Sequence, residues 1–423
     1  MKRYLLPLAC ALAYFGCQTA PDGGEAQSSQ NEPPELVDTS TRPTNKQWKG
    51  TWALNDRTIF FSNDFEGGRL NGIVMDSANH FTLLITAENY PINPSPWYAF
   101  KAWSTDPVEI QIELTYTDSR SRYYPKVSDD GINFQPLDSS LVTGFDGAGW
   151  GIGSVSETIE FSLSLTSEPV WVAAQELWTS SRVNDWMNTL AASEEIDRST
   201  IGDSREGRPI WMMKIGNEQT KKGVMIISRQ HPPEVTGFLA MKSFIETIAD
   251  DSDLARAFRS SFAVYNVPLM NPDGVDNGHW RHNTGGIDLN RDWQEFNQPE
   301  TSAVRDFLHE KTAAGVEFVF GSDFHSTWRD IYYPLDSSVV NEEDLLVFDW
   351  INRISTNLGV SDPNVQPSKF IQPTMVSRNF FYQEHGIPSI VFEIGDNTDR
   401  GFVEKKGKVA AEELMKILLD RTN

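Results

Sequence analysis

Two consecutive prolines stand between an apolar run and a helical pattern, and few backbone arrangements satisfy both sides of them. Residues 223–228 (Gly-Val-Met-Ile-Ile-Ser) predict a short buried strand. In residues 235–249, Phe238, Met241, Phe244, Ile245 and Ile248 recur at helical spacing. Between them lies Gln230-His231-Pro232-Pro233-Glu234. Each proline fixes φ and removes an amide donor, so the turn is rigid. A His and a Glu three apart in the turn leaving a strand can point at one metal ion. Alone the pattern is weak, because His-x-x-Glu arises often by chance. It gains meaning only if the chain supplies a third ligand, a base and substrate-gripping groups in a sensible order.

The strand–turn–helix unit is repeated along the second half of the chain. Further strands are predicted at 208–215, 262–269, 316–320 and 389–394, and helices at 181–192, 300–313, 343–358, 377–385 and 405–419. Such alternation indicates an α/β fold: a mixed, largely parallel sheet flanked by helices on both faces. Ligands of such sheets bind beyond the carboxyl ends of strands. The His231 turn, the Asn271-Pro-Asp-Gly274 turn and Asp323-Phe324-His325 each follow a predicted strand, so three polar sites are expected at one edge.

Before about residue 176 the pattern differs. Short β runs at 58–61, 81–87, 97–103, 109–117, 158–165 and 170–173 are punctuated by turn residues, without helices between them. Ile110, Ile112, Leu114 and Tyr116 alternate and share one face. An antiparallel β-sandwich is expected over 48–176, ahead of an α/β domain over 177–423. Its aromatics fit core packing better than a carbohydrate-binding platform.

Met1-Lys2-Arg3, the apolar run 4–15 and Gly16-Cys17 have the layout of an export signal, too short to span a membrane. Gly16-Cys17 resembles the lipobox of bacterial lipoproteins, which implies lipidation at Cys17 and a lipid anchor as the sole membrane contact. Tyr14 stands where that motif has Leu, leaving ordinary cleavage or retention open. The polar, proline-rich residues 18–47 read as a flexible tether. Cys10 and Cys17 are the only cysteines, so the folded body has no intramolecular disulfide or thiolate metal site. A formal net charge of −23 argues against nucleic acid as a partner.

Of the seven histidines, His231 and His325 alone sit immediately after apolar strands, which makes His325 the natural third ligand. Hydrolytic zinc sites use three protein ligands and keep a fourth position for water. His80, His279, His282, His309 and His385 read as structural or solvated, although His279 and His282 flank the site.

The ordered set His231-Pro-Pro-Glu234, Asn271-Pro-Asp-Gly274, Trp280-Arg281, Gly286-Ile-Asp-Leu-Asn290-Arg291-Asp-Trp293, Asp323-Phe-His325 and Phe392-Glu393 resembles the M14 zinc carboxypeptidases. Asp64-Phe-Glu-Gly-Gly-Arg-Leu70, Trp97-Tyr-Ala-Phe100 and Tyr124-Pro-Lys-Val-Ser-Asp-Asp-Gly131 resemble the N-terminal sandwich of the cytosolic-carboxypeptidase-like branch. The resemblance implies one Zn²⁺ held by His231, Glu234 and His325, and peptide or protein C-termini as substrates. It implies Glu393 as general base and acid, Arg281 as oxyanion stabiliser, and Asn290 with Arg291 as the grip on the terminal carboxylate. Arg378, the only charge in 374–380, hints at a pocket for acidic C-terminal residues. The family's mobile tyrosine has no counterpart near Ile371, and Tyr382 does not match its place. Two rivals stand beside this reading: a murein peptidase cleaving γ-glutamyl or diaminopimelate bonds, and a surface binding protein that kept the pocket without turnover.

Overall fold

The computed structural model describes residues 33–145, 158–217, 219–341 and 345–422. The predicted export signal and Cys17 lie outside these residues. Among the described residues, no helix is long and apolar enough to cross a membrane.

Two facing sheets form the sandwich. One runs in the order Thr51–Leu54, Ile59–Ser62, Ala99–Ser104, Val170–Ala173, Lys126–Ser128 and Gln135–Pro136. The other runs Gly72–Ser77, His80–Ile85, Val108–Tyr116, Ile159–Leu165 and Val142–Thr143. Ile110, Ile112, Leu114 and Tyr116 do share the inner face, where they meet fully buried Phe61, Phe81 and Phe100. Each such side chain contributes about 1.5–3 kcal/mol by leaving water. One pairing departs from the antiparallel expectation: His80–Ile85 and Val108–Tyr116 run parallel. Between them the chain crosses to the other sheet to form Ala99–Ser104 and crosses back, which reverses the direction of return.

The third sheet has seven strands, in the order Ile196–Asp203, Pro209–Ile215, Ala263–Val267, Lys222–Ser228, Glu317–Thr327, Ser389–Gly395 and Ile331–Pro334. Its three central pairings are parallel, and those towards both edges are antiparallel. Lys222–Ser228 shows why its sequence is almost continuously apolar. Val224 and Ile226 enter the core beneath helices Val235–Ala249 and Arg400–Asp420, while Met225 and Ile227 enter the opposite core beneath Pro299–Ala313 and Ser377–His385.

Two expectations need correction. Asp323 and His325 lie inside the long strand Glu317–Thr327, not after it. The predicted tether also ends early, because residues 39–47 are pinned to the body. The Arg42 amide donates to Gly285 O (2.8 Å), the Asn45 amide to Glu88 O (2.7 Å), and Gln298 Nε2 donates to Thr39 O (2.8 Å). Such a segment is ordered by hydrogen bonds with little apolar burial, so its polar composition hides its order.

Helix Val235–Ala249 lies unusually close to its neighbours. A Cβ on Gly237 would sit 2.2 Å from His325 O, and one on Gly407 would sit 2.2 Å from Ala240 O. The helix start has no side-chain cap of its own; the Gly237 amide instead donates to Ser326 Oγ at 2.8 Å. One of the four orphan amides of the helix is thereby satisfied by the residue beside His325. Gly237→Ala is expected to destabilise the fold by about 1–3 kcal/mol through overpacking against backbone. The measurement is a fall in the urea unfolding midpoint, with an unchanged midpoint counting against this contact.

Candidate metal centre and cleft

The rigid turn and the long strand bring three donors together. His231, Glu234 and His325 are all buried, and their ligand atoms lie within 4.8 Å of one another. Glu234 Oε1 is 2.7 Å from His231 Nδ1, and its Oε2 is 2.7 Å from His325 Nδ1.

The far side of each ring is held by a carboxylate. His231 Nε2 is 2.8 Å from Asp288 Oδ1, and His325 Nε2 is 2.8 Å from Asp323 Oδ2. Of these two contacts only His231–Asp288 has hydrogen-bond geometry; a proton on His231 Nε2 faces Asp288 and leaves its Nδ1 lone pair turned towards Glu234, and the same tautomer of His325 turns its Nδ1 lone pair there too. Those two Nδ1 atoms are 3.2 Å apart. Two lone pairs at that separation repel unless a cation lies between them. Tetrahedral zinc with bonds of about 2.0–2.1 Å would set two nitrogens about 3.3–3.4 Å apart. The donor set and its spacing therefore fit Zn²⁺.

Both supporting aspartates are themselves anchored. Asp323 and His325 are two apart on one strand, so they share a face. Asp323 Oδ2 also accepts from Gln230 Nε2 (2.6 Å) and from the Ser377 hydroxyl. Asp288 Oδ1 accepts from the Asn290 amide (2.8 Å), and its Oδ2 accepts from Arg281 Nε (2.7 Å). Burial would raise the Asp288 carboxyl, but Arg281 and His231 bring it well below the carboxylate range.

All eight residues singled out in the sequence line one cleft of about 470 Å³: His231, Glu234, Arg281, Asn290, Arg291, His325, Arg378 and Glu393. Glu393 is the direct register partner of His325 in the parallel pair, so the two project from neighbouring strands to the same side. Asn290 Oδ1 accepts from the Ser377 amide (3.0 Å), and Arg291 Nη1 donates to Asn290 O (2.8 Å). Arg378 is half-buried, so a freely solvated helix face does not describe it. Its hydrogen bonds run to two uncharged oxygens, Tyr333 O (2.8 Å) and Asn379 Oδ1 (3.4 Å). Burial, with the like charge of Arg291 adding to it, brings its pKa down to about 10.

Among the cleft residues that sequence reasoning missed, three carry groups that can meet a substrate. Tyr333 sits on the edge strand Ile331–Pro334 and pairs with Val391, two residues from Glu393, so it shares the cleft face. Arg329 stacks on Trp328 at the rim, 4.0 Å from the ring centre. Arg122 reaches in from the sandwich, where Nε donates to Asp396 Oδ2 (2.8 Å) and Nη1 to Ser95 Oγ (2.7 Å). Tyr382 lines a separate small cavity with Leu335 and Phe348. His279 and His282 are buried near the cleft and bonded to protein: His279 Nδ1 to His282 O, and His282 Nδ1 to Asn89 Oδ1.

Comparison with known proteins agrees with this geometry. An uncharacterized Zymomonas mobilis protein is 25% identical over 271 residues, covering 62% of this chain and 66% of that protein. Mouse cytosolic carboxypeptidase 3 is 23% identical over 261 residues, 56% of this chain but 26% of its own length. These matches span less than two thirds of either relative. Among solved structures, a metallo-carboxypeptidase from Burkholderia cenocepacia superposes with a TM-score of 0.71 at 19% identity, covering 86% of this chain and 100% of that one. A Pseudomonas aeruginosa metallo-carboxypeptidase gives 0.69 at 20% identity, covering 86% and 100%. At such identities the superpositions speak for the fold. Residues 183–414, more than half of the chain, match the zinc carboxypeptidase family itself. With its buried His-Glu-His donor set at the centre of that match, the chain belongs to the zinc carboxypeptidase family.

Proposed function

We propose that the protein is a metallocarboxypeptidase that releases C-terminal residues, with a preference for acidic ones. The observation that carries this reading is the shared cleft: one buried metal-ligand set, one strand carboxylate and several arginines face the same space. Zinc, when bound, polarises the scissile carbonyl and acidifies water. Asn290 and Arg291 hold the substrate's terminal carboxylate, which limits cleavage to chain ends. Arg281, fixed through its Nε on Asp288, faces the oxyanion with its guanidinium. Glu393 takes a proton from water and delivers it to the departing nitrogen.

The acidic preference rests on Arg378. A cation in a half-buried position, hydrogen-bonded to neutral oxygens among the described residues, is stabilised by an incoming carboxylate more than by any uncharged side chain. The export signal and lipidated Cys17 read from the sequence would place this activity at a bacterial cell envelope.

Glu393→Gln should lower kcat by about 10²–10⁴-fold while zinc stays bound; full turnover in that variant would remove Glu393 from the chemistry. Asp288→Asn should weaken zinc binding by about 10–100-fold in competition with a chelator, because His231 loses the partner that sets its tautomer. Incubation with a peptide library varied at its last residue, followed by mass spectrometry, should show Glu and Asp released fastest. Arg378→Ala should cut kcat/KM for these by about 10–100-fold and leave neutral residues within about threefold. Equal losses for all residues would refute the preference. Cleavage of muropeptides in place of ordinary peptides would favour a cell-wall substrate.

A further inference from the structure

The loop that carries Arg281 is held by a residue of the other domain. Three consecutive amides converge on one carboxylate, that of Glu88 in the sandwich. Trp280 N–H donates to Oε2 at 2.7 Å, and Arg281 N–H (3.0 Å) and His282 N–H (2.7 Å) donate to Oε1. Successive amides pointing to one side form a concave anion seat, and here the protein fills it with its own side chain. Glu88 is fully buried, and its own carbonyl accepts from the Asn45 amide. Burial works against its charge, but His279, Arg69, His282 and the loop amides bring its pKa down to about 2. The next residue, Asn89, bonds the same loop twice: Oδ1 meets His282 Nδ1 (2.6 Å) and Nδ2 donates to Gly286 O (3.0 Å).

From this seat a chain of contacts runs to the metal ligands. The Arg281 backbone sits on Glu88, its Nε donates to Asp288 Oδ2, and Asp288 Oδ1 faces His231 Nε2. We propose that Glu88 is a positioning residue for catalysis: by clamping residues 280–282 it aims Arg281 into the cleft, so that the sandwich is a working part of the active site. The proposal rests on the carboxypeptidase reading for what Arg281 does, but not for the clamp itself.

Two measurements on the full chain test it. The first is amide hydrogen exchange over residues 279–288, which needs no activity. The native protein should show protection at 280–282 that falls at least about tenfold in Glu88→Gln, because a charge-assisted bond contributes about 1.5–3 kcal/mol. Unchanged protection there overturns the clamp. The second is a kinetic double-mutant cycle with Arg281→Ala. Glu88→Gln should lower kcat by about 10–100-fold with KM within about threefold and zinc content unchanged, and should cost less than about threefold once Arg281 is alanine. An undiminished loss in the Arg281→Ala background, or a loss that tracks zinc content or melting temperature, makes Glu88 a purely structural residue. If Glu88→Gln fails to fold, Asn89→Ala runs the same cycle, with an expected loss of about 3–10-fold and the same collapse beside Arg281→Ala. A native protein that cleaves no peptide refutes the carboxypeptidase reading and leaves the exchange result to decide the clamp.

Discussion

Helix Val235–Ala249 touches strand Glu317–Thr327 backbone to backbone, and the site depends on that contact. Glu234 begins the helix and His325 lies on the strand, so the distance between two metal ligands is the distance between these elements. Gly237 permits the approach because a Cβ there would overlap His325 O. Ser326 then bonds the helix's first turn across the gap, with Gly237 N–H and the Thr236 hydroxyl both 2.8 Å from its Oγ. The stiffness of Pro232-Pro233 supplies the other half: His231 cannot drift from Glu234 when the intervening φ angles are fixed.

Around this frame the electrostatics are inverted relative to the whole. The chain carries a net charge of −23, yet Arg122, Arg281, Arg291, Arg329 and Arg378 all line the cleft. Acidic groups near them are mostly engaged: Asp288 with Arg281 and His231, Asp396 with Arg122, and Glu234 with both imidazoles. Five arginines in one cleft of an acidic chain gather positive charge in one place.

Much of the architecture was legible because the apolar periodicities were strong. Lys222–Ser228, Val235–Ala249 and Ser389–Gly395 each bury nearly every apolar position, and their patterns name them without tertiary information. What escaped lies at edges. Ile196–Asp203 is a polar edge strand with one buried residue, and Ile331–Pro334 is too short for its alternation to register. Helix Asp253–Ser261 has only Ala255 and Phe258 as buried apolar residues, so its stripe is faint. Tyr333 was missed with its strand. Most of the eight cleft residues named from the sequence were readable because they belong to short motifs, such as His231-Pro-Pro-Glu234, Asn290-Arg291 and Asp323-Phe-His325. Arg122 and Glu88 carry no such signal, since their roles exist only after two domains dock.

The seat occupied by Glu88 also orders events in time. Glu88 and Trp280 are 192 residues apart, so their contact closes a very long loop. Contacts that close so long a loop form late in folding, and the Glu88 seat is one of them. Under the proposed clamp, a misfolded first domain would leave the Arg281 loop without its seat, so the aim of the arginine waits on the completed pair of domains.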